Sequence, residues 1–270
     1  MTIETIGLHS QITTLIFDVD DTLYDVGTGF TAHRNGEAAQ QFMVKYLHFP
    51  DIASAKVVRD EYFEKYHATA KALTIAEQEG RFPPPRPGEK VKSPRFNTND
   101  LAEFWASNLK FDMLGGPKTQ LAQDLKECPL TLVAFSNGPR KYVRRVLRQL
   151  GLFELFGEER LYAVDDTLPY CKPEEEAFQL IFDKIGAKAE ECVLVEDSMK
   201  NIRRAKELGV KTVLITGTRS SHSKASEATK PGDTPEVTDL AVDCSMMVVE
   251  EIRNVLPGLW QDPAIFECRN

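Results

Sequence analysis

Ile12-Thr13-Thr14-Leu15-Ile16-Phe17-Asp18-Val19-Asp20-Asp21-Thr22-Leu23-Tyr24 is the stretch on which the reading of the fold turns. Its first six residues are rich in β-branched and aromatic side chains and predict a buried strand, which stops at three carboxylates within four positions. Carboxylates buried without partners are very costly, so this strand end calls for a cation, a phosphate or both. An acidic turn is the plainer reading of the stretch alone. The choice rests on whether the rest of the chain supplies groups that complete a site.

From Leu121 onward, apolar runs alternate with amphipathic segments. Leu130 to Phe135, Leu161 to Val164, Cys192 to Val195 and Thr212 to Ile215 are expected as strands. Between them, Lys118 to Glu127, Pro139 to Leu150, Glu174 to Ile185 and Met199 to Leu208 are expected as helices, with Gly151, Gly186 and Gly209 as stops. This rhythm predicts an α/β fold, a doubly wound parallel sheet with helices on both faces. Ala241 to Cys244 is expected to add an edge strand, and Met246 to Leu256 a final helix.

A different pattern interrupts the rhythm after Tyr24. Phe30 to Leu73 has helical spacing, with Phe42, Tyr46, Tyr62, Phe63 and Tyr66 among polar residues. Arg81 to Asn97 carries five prolines, which exclude helix interior and central strand and predict a partly extended loop. Thr98-Asn99-Asp100 can cap a helix through Leu101, Phe104, Trp105 and Leu109. The core is therefore assigned to 1–26 and 116–270 and a helical insertion to 27–115, with hinges near Asp25 to Gly29 and at Gly115-Gly116-Pro117. The Ser-, Thr-, Lys- and Pro-rich stretch from Thr218 to Glu236 is expected to be a mobile loop.

A chain of 270 residues with 42% hydrophobic and 27% charged residues is an ordinary globular composition. Its net charge of -8 argues against a nucleic-acid polymer as the main ligand. The five scattered cysteines, without a C-x-x-C pair, suggest reduced thiols. No stretch approaches the roughly 18 apolar residues of a membrane span. A soluble cytoplasmic protein with a small-molecule ligand and no membrane partner is the expectation, its oligomeric state left open.

In open α/β sheets, ligands sit outside the carboxyl ends of the strands. Asp18 and Asp20, Ser136 and Asn137, Lys172, and Glu196 with Asp197 all fall at or just after predicted strand ends. Each alone reads as a turn, a cap or a solvated charge. Together they fit phosphoryl transfer. One carboxylate attacks phosphorus and a second manages the proton of the leaving alkoxide. Mg²⁺ offsets the charge repulsion, while hydroxyl, amide and ammonium donors hold the phosphoryl oxygens.

These groups resemble the four motifs of the haloacid dehalogenase-like (HAD) hydrolases: Asp18-Val19-Asp20-Asp21-Thr22, then Ser136, Lys172 and Glu196-Asp197. The resemblance spans about Leu15 to Ile215 and implies a Rossmann-type core. It also implies Asp18 as nucleophile, Asp20 as general acid/base, and Ser136, Asn137 and Lys172 at the phosphoryl group. Mg²⁺ would be held by Asp18, the backbone carbonyl of Asp20 and Asp197, with Glu196 ligating directly or through water. True dehalogenases on this scaffold do not carry the second aspartate, so Asp20 marks a phosphatase. A regulatory relative that had lost catalysis would lack one of these groups, and all are present.

The insertion resembles the helical C1 cap of these enzymes, which covers the phosphate site and selects the leaving group. Asp20 to Tyr24, Phe135-Ser136-Asn137-Gly138 and Gly258-Leu259-Trp260 are similar to the pyrimidine 5'-nucleotidase subgroup, whose substrates include UMP and CMP. In the cap, Tyr62-Phe63-Glu64-Lys65-Tyr66-His67 stands where that subgroup shows Tyr-x-x-x-Tyr-Gly, and Ala72-Leu73 where it shows Gly-Leu. The expected activity is a Mg²⁺-dependent phosphatase acting on a nucleoside 5'-monophosphate. A sugar-phosphate or phosphoglycolate phosphatase, or a phosphomutase, is the alternative.

Overall fold

The computed structural model describes residues 11–85, 88, 92–218, 233–262 and 264–269. Six strands form one sheet: β1 (Thr14–Phe17), β2 (Thr131–Phe135), β3 (Leu161–Tyr162), β4 (Cys192–Glu196), β5 (Lys211–Ile215) and β6 (Cys244–Met246). They lie in the order β3-β2-β1-β4-β5-β6 and every pair is parallel. The strand order reverses at β1, which pairs with β2 on one side and β4 on the other. Such a switch point opens a crevice at the carboxyl ends of the strands.

Alternation along the strands builds two faces. Leu15, Phe17, Leu132, Ala134, Val193 and Val195 share a core with residues of α6 (Thr119–Lys126) and α7 (Arg140–Gln149). Ile16, Val133, Phe135 and Leu194 pack instead with Phe178, Ile181 and Phe182 of α10 (Glu175–Ile185) and Ala205 of α11 (Met199–Glu207). Short helices α8 (Phe153–Phe156) and α9 (Val164–Thr167) flank β3 in the chain. The expected doubly wound sheet is what the chain forms.

Between β1 and β2 lie α1 (Phe30–His33), a π-helical turn (Arg34–Ala38), α2 (Ala39–Tyr46), α3 (Ile52–Tyr66), α4 (Thr69–Gln78) and α5 (Thr98–Asn108). Gly29 (φ 69°) precedes α1, and Gly115 (φ 72°) follows the turn that ends the inserted stretch. Both take the positive φ that glycine adopts without a Cβ clash. The proline-rich loop packs back onto the helices: Phe82 and Phe96 are buried, and Glu77 accepts the Phe96 N–H at 2.9 Å.

Several boundaries differ from expectation for local reasons. The third strand ends at Tyr162 because Asp166 accepts the Ala163 N–H at 2.8 Å and starts a helical turn at Val164. Asp243, expected in the edge strand, instead accepts the Thr212 N–H at 2.9 Å, and pairing begins at Cys244. Met246 completes β6, so the expected final helix shrinks to Val249–Glu251 and Ile252–Val255. Most of the expected loop from Thr218 to Glu236, residues 219–232, lies outside the described residues.

The cysteine reading needs correction. Cys244 and Cys268 form a disulfide across a separation of 24 residues, leaving Cys128, Cys171 and Cys192 as thiols. Their spacing gives no hint of this, because the C-terminal segment folds back through Ile265 N–H to Gly258 O (3.0 Å) and Arg269 N–H to Val255 O (2.9 Å). Thiol chemistry therefore no longer supports a reducing compartment. Among the described residues, no helix is long and apolar enough to cross a membrane.

Candidate active site

The carboxyl ends of β1, β2 and β4 bring Asp18, the Phe135 carbonyl and Glu196 together around the Lys172 ammonium group. Lys172, 1% exposed, donates from Nζ to Asp18 Oδ1, Glu196 Oε2 and the Phe135 carbonyl, each at 2.8 Å. Glu196 is equally buried and takes three further donors: the N–H groups of Asp197 and Ser198 and the Asn201 side chain. Its hydrogen bonds thus join Lys172 to the turn that starts α11. Burial would strip Lys172 of its proton, yet the two carboxylates hold its pKa above the ordinary lysine value. Burial and the Glu196 charge push Asp18 up to about 7, Lys172 opposing and Asp20 adding to the rise.

Carboxylate oxygens of Asp18, Glu196 and Asp197 lie within 4.8 Å of one another. Three acidic groups against one lysine leave an excess of negative charge, and an all-oxygen donor set suits a hard divalent cation such as Mg²⁺. The chemistry of the donors therefore fits the expected metal.

Asp20 is placed differently from Asp18. Its Oδ1 accepts from the phenols of Tyr24 (2.7 Å) and Tyr142, and its Oδ2 from Arg34 Nη1 (2.5 Å) and Ser136 Oγ (3.3 Å). Burial would raise its pKa, but the Arg34 charge and the Tyr142, Tyr24 and Arg34 hydrogen bonds outweigh burial and keep it below the usual carboxylate range. Asn137, expected among the phosphate-gripping groups, spends both amide atoms on the Lys172 backbone, donating at 2.8 Å and accepting at 2.9 Å. In this geometry it positions Lys172.

Inserted helices close the site from the other side. Cys171 Sγ donates to the Tyr66 carbonyl at 3.5 Å, Lys200 Nζ meets His67 Nε2 at 2.5 Å, and Lys71 pairs with Glu174. The cavity between them, ≈ 60 Å³ and partly open, has Asp18, Asp20, Lys172 and Asp197 on its sheet side and Arg34, Asn35, Thr69 and Trp105 on its helical side. Arg34, Tyr142 and Trp105 were absent from the site as read from sequence. A signal existed for Arg34: it follows Phe30 by four residues and precedes Ala38 by four, on the buried face of a helix.

A family model of haloacid dehalogenase-like hydrolases matches residues 12–209, and the chain belongs to that family. A phosphoglycolate phosphatase from Pseudomonas putida is 26% identical over 140 residues, 52% of this chain and 44% of that relative. The chain thus matches less than half the length of that curated relative. The L-2-haloacid dehalogenase structure from Xanthobacter autotrophicus is 18% identical with a TM-score of 0.53, covering 92% of this chain and 99% of that one. A hydrolase from Pseudomonas syringae is 17% identical with a TM-score of 0.54, over 91% and 98% of the two chains. At these identities the two structural likenesses establish the fold alone.

Proposed function

We propose that the protein is a Mg²⁺-dependent phosphatase of small phosphate esters that works through an aspartyl-phosphate on Asp18. The observation that carries this reading is the Lys172 Nζ bridge from Asp18 to Glu196, with Asp20 two residues on. Lys172 fixes one oxygen of Asp18 and offers positive charge beside the site of attack. An Asp18 oxygen forms the bond to phosphorus as the ester oxygen departs, and Asp20 in its protonated form, the minor one while Arg34 holds its pKa low, gives that oxygen its proton. In the second half, Asp20 takes a proton from water, whose oxygen attacks phosphorus and displaces Asp18. Ser136 and Lys172 donate to the phosphoryl oxygens. A divalent cation held by Asp18, Asp197 and the Asp20 backbone carbonyl, with Glu196 directly or through water, would neutralise phosphate charge facing Asp18. The inserted helices serve as the cap.

For the substrate, the alternative read from the sequence is better supported than a nucleoside 5'-monophosphate. The cavity of ≈ 60 Å³ is far below the roughly 300–1,000 Å³ of pockets that enclose drug-sized ligands. The Pseudomonas putida relative is a phosphoglycolate phosphatase. Phosphate release from 2-phosphoglycolate, sugar phosphates, UMP and CMP, each with Mg²⁺ and with EDTA, tests both halves of the proposal. Small esters should lead by kcat/KM with Mg²⁺ alone; leading rates for UMP and CMP would restore the nucleotidase reading.

A further inference from the structure

The helical wall of the cavity carries three buried polar groups that have no partner among the described residues. Its residues from the inserted helices include Arg34, Asn35, Thr69 and Trp105, while the carboxylates lining the cavity all come from the sheet side. Asn35 Oδ1 accepts from Arg34 Nε at 3.2 Å, which fixes the amide and leaves Nδ2 without a protein acceptor among the described residues. Trp105 Nε1 and Thr69 Oγ1 are in the same condition, and the three residues are 1%, 2% and 4% exposed. Buried polar groups are nearly always satisfied, so three orphans lining one small cavity mark the place of a ligand.

The sign of that ligand follows from Arg34. Its guanidinium is buried, lies 5.3 Å from the Trp105 ring centre and 4.9 Å from that of Tyr142, and pairs with Asp20 at 2.5 Å. Arg34 thus brings a fixed positive charge to the wall that the inserted helices form.

We infer that Arg34, Asn35, Thr69 and Trp105 form a receptor for a carboxylate on the leaving group, so that the substrate class is a phosphate ester of a small hydroxy acid. The substrate carboxylate replaces Asp20 on Arg34. This rests on the phosphatase reading above and adds to it the specificity-determining residue. A guanidinium stacked on aromatic rings is suited to the part, because its fork matches a carboxylate bidentately.

The test compares 2-phosphoglycolate with 2-hydroxyethyl phosphate, in which a hydroxymethyl group replaces the carboxylate. Both esters present the same phosphate, so the ratio of their kcat/KM values cancels damage to Asp18 or to the fold. Wild-type protein should favour the carboxylate by about a hundredfold. Arg34→Gln should lower that ratio at least about tenfold, and Trp105→Phe, which keeps a ring and deletes one donor, by a few-fold. A wild-type ratio near one, or an unchanged ratio in Arg34→Gln, overturns the inference. Should Arg34→Gln fail to fold, Arg34→Lys and Trp105→Phe decide, an unchanged ratio in both being fatal. If wild-type protein hydrolyses neither ester nor p-nitrophenyl phosphate, the phosphatase reading is what fails. Calorimetric binding of the two esters then judges the subsite: tighter binding of the carboxylate that Arg34→Gln abolishes supports it, and equal binding refutes it.

Discussion

Arg34 donates Nη1 to Asp20 Oδ2 at 2.5 Å, tying the first inserted helices to the residue two positions beyond the proposed nucleophile. The ion pair links two parts of the protein that sequence distance separates into core and insertion. It also sets Asp20 apart from Asp18, which faces Lys172 instead.

That division of labour predicts a leaving-group effect. Asp20→Asn should lose about 10²- to 10⁴-fold in kcat with alkyl phosphates, whose alkoxide needs a proton. The loss should be much smaller with p-nitrophenyl phosphate, whose phenolate departs unprotonated. Steady-state kinetics on both esters checks this, and equal losses would remove Asp20 from the role of general acid.

Lys172 is predicted to matter for stability as well as turnover. Lys172→Met leaves Asp18 and Glu196 buried side by side without their shared cation, a change that typically costs about 3–5 kcal/mol. The pKa of Lys172 is higher in the folded protein than in the unfolded chain, so its contribution is complete below the unfolded value and is lost as pH rises through the folded one. Urea denaturation should therefore show the widest gap between wild type and variant from about pH 7, below which Asp18 is itself protonated, to about pH 10, with the gap closing in more alkaline solution.

The acidic cluster predicts a metal requirement that one substitution weakens. Turnover should vanish in EDTA and return with Mg²⁺, and Asp197→Asn should need at least about tenfold more Mg²⁺ for half-maximal rate. Activity that is full in EDTA would leave the cluster without this function.

Closing a loop of 24 residues, the Cys244–Cys268 bridge should contribute about 3 kcal/mol through the unfolded chain. Cys268→Ser is expected to lower the melting temperature by several degrees and to leave kcat unchanged, as neither cysteine lines the cavity. Thermal unfolding with and without reductant separates the bridge from the side chain: reductant should lower wild type towards the variant and not move the variant.

Legibility in the sequence followed the strands. Asp18, Ser136 and Glu196 terminate or directly follow apolar runs, so the sheet itself brings them to one edge. Lys172 could be tied to that edge only through its place in the motif order, since the loop carrying it is set by Asn137. Asn35 and Trp105 depend on how the inserted helices pack over the sheet, which no local pattern states, and for Arg34 the helical spacing marks a buried face without saying what it faces. His67 illustrates the limit. It stands where the nucleotidase subgroup shows glycine, and its φ of 50° at the end of α3 is the left-handed conformation that glycine takes most easily. The imidazole instead reaches Lys200, another residue lining the cavity, a contact that glycine could not make.

Identification of the residue that carries the phosphoryl group decides whether Asp18 is the nucleophile. Wild-type protein, mixed with 2-phosphoglycolate and Mg²⁺ and quenched in acid during turnover, should yield by peptide mass spectrometry one phosphoryl group on Asp18, removed by mild alkali. Asp18→Asn should yield no such adduct and release no phosphate. A phosphoryl group on another residue, or phosphate release by Asp18→Asn at the wild-type rate, would exclude Asp18 as the nucleophile.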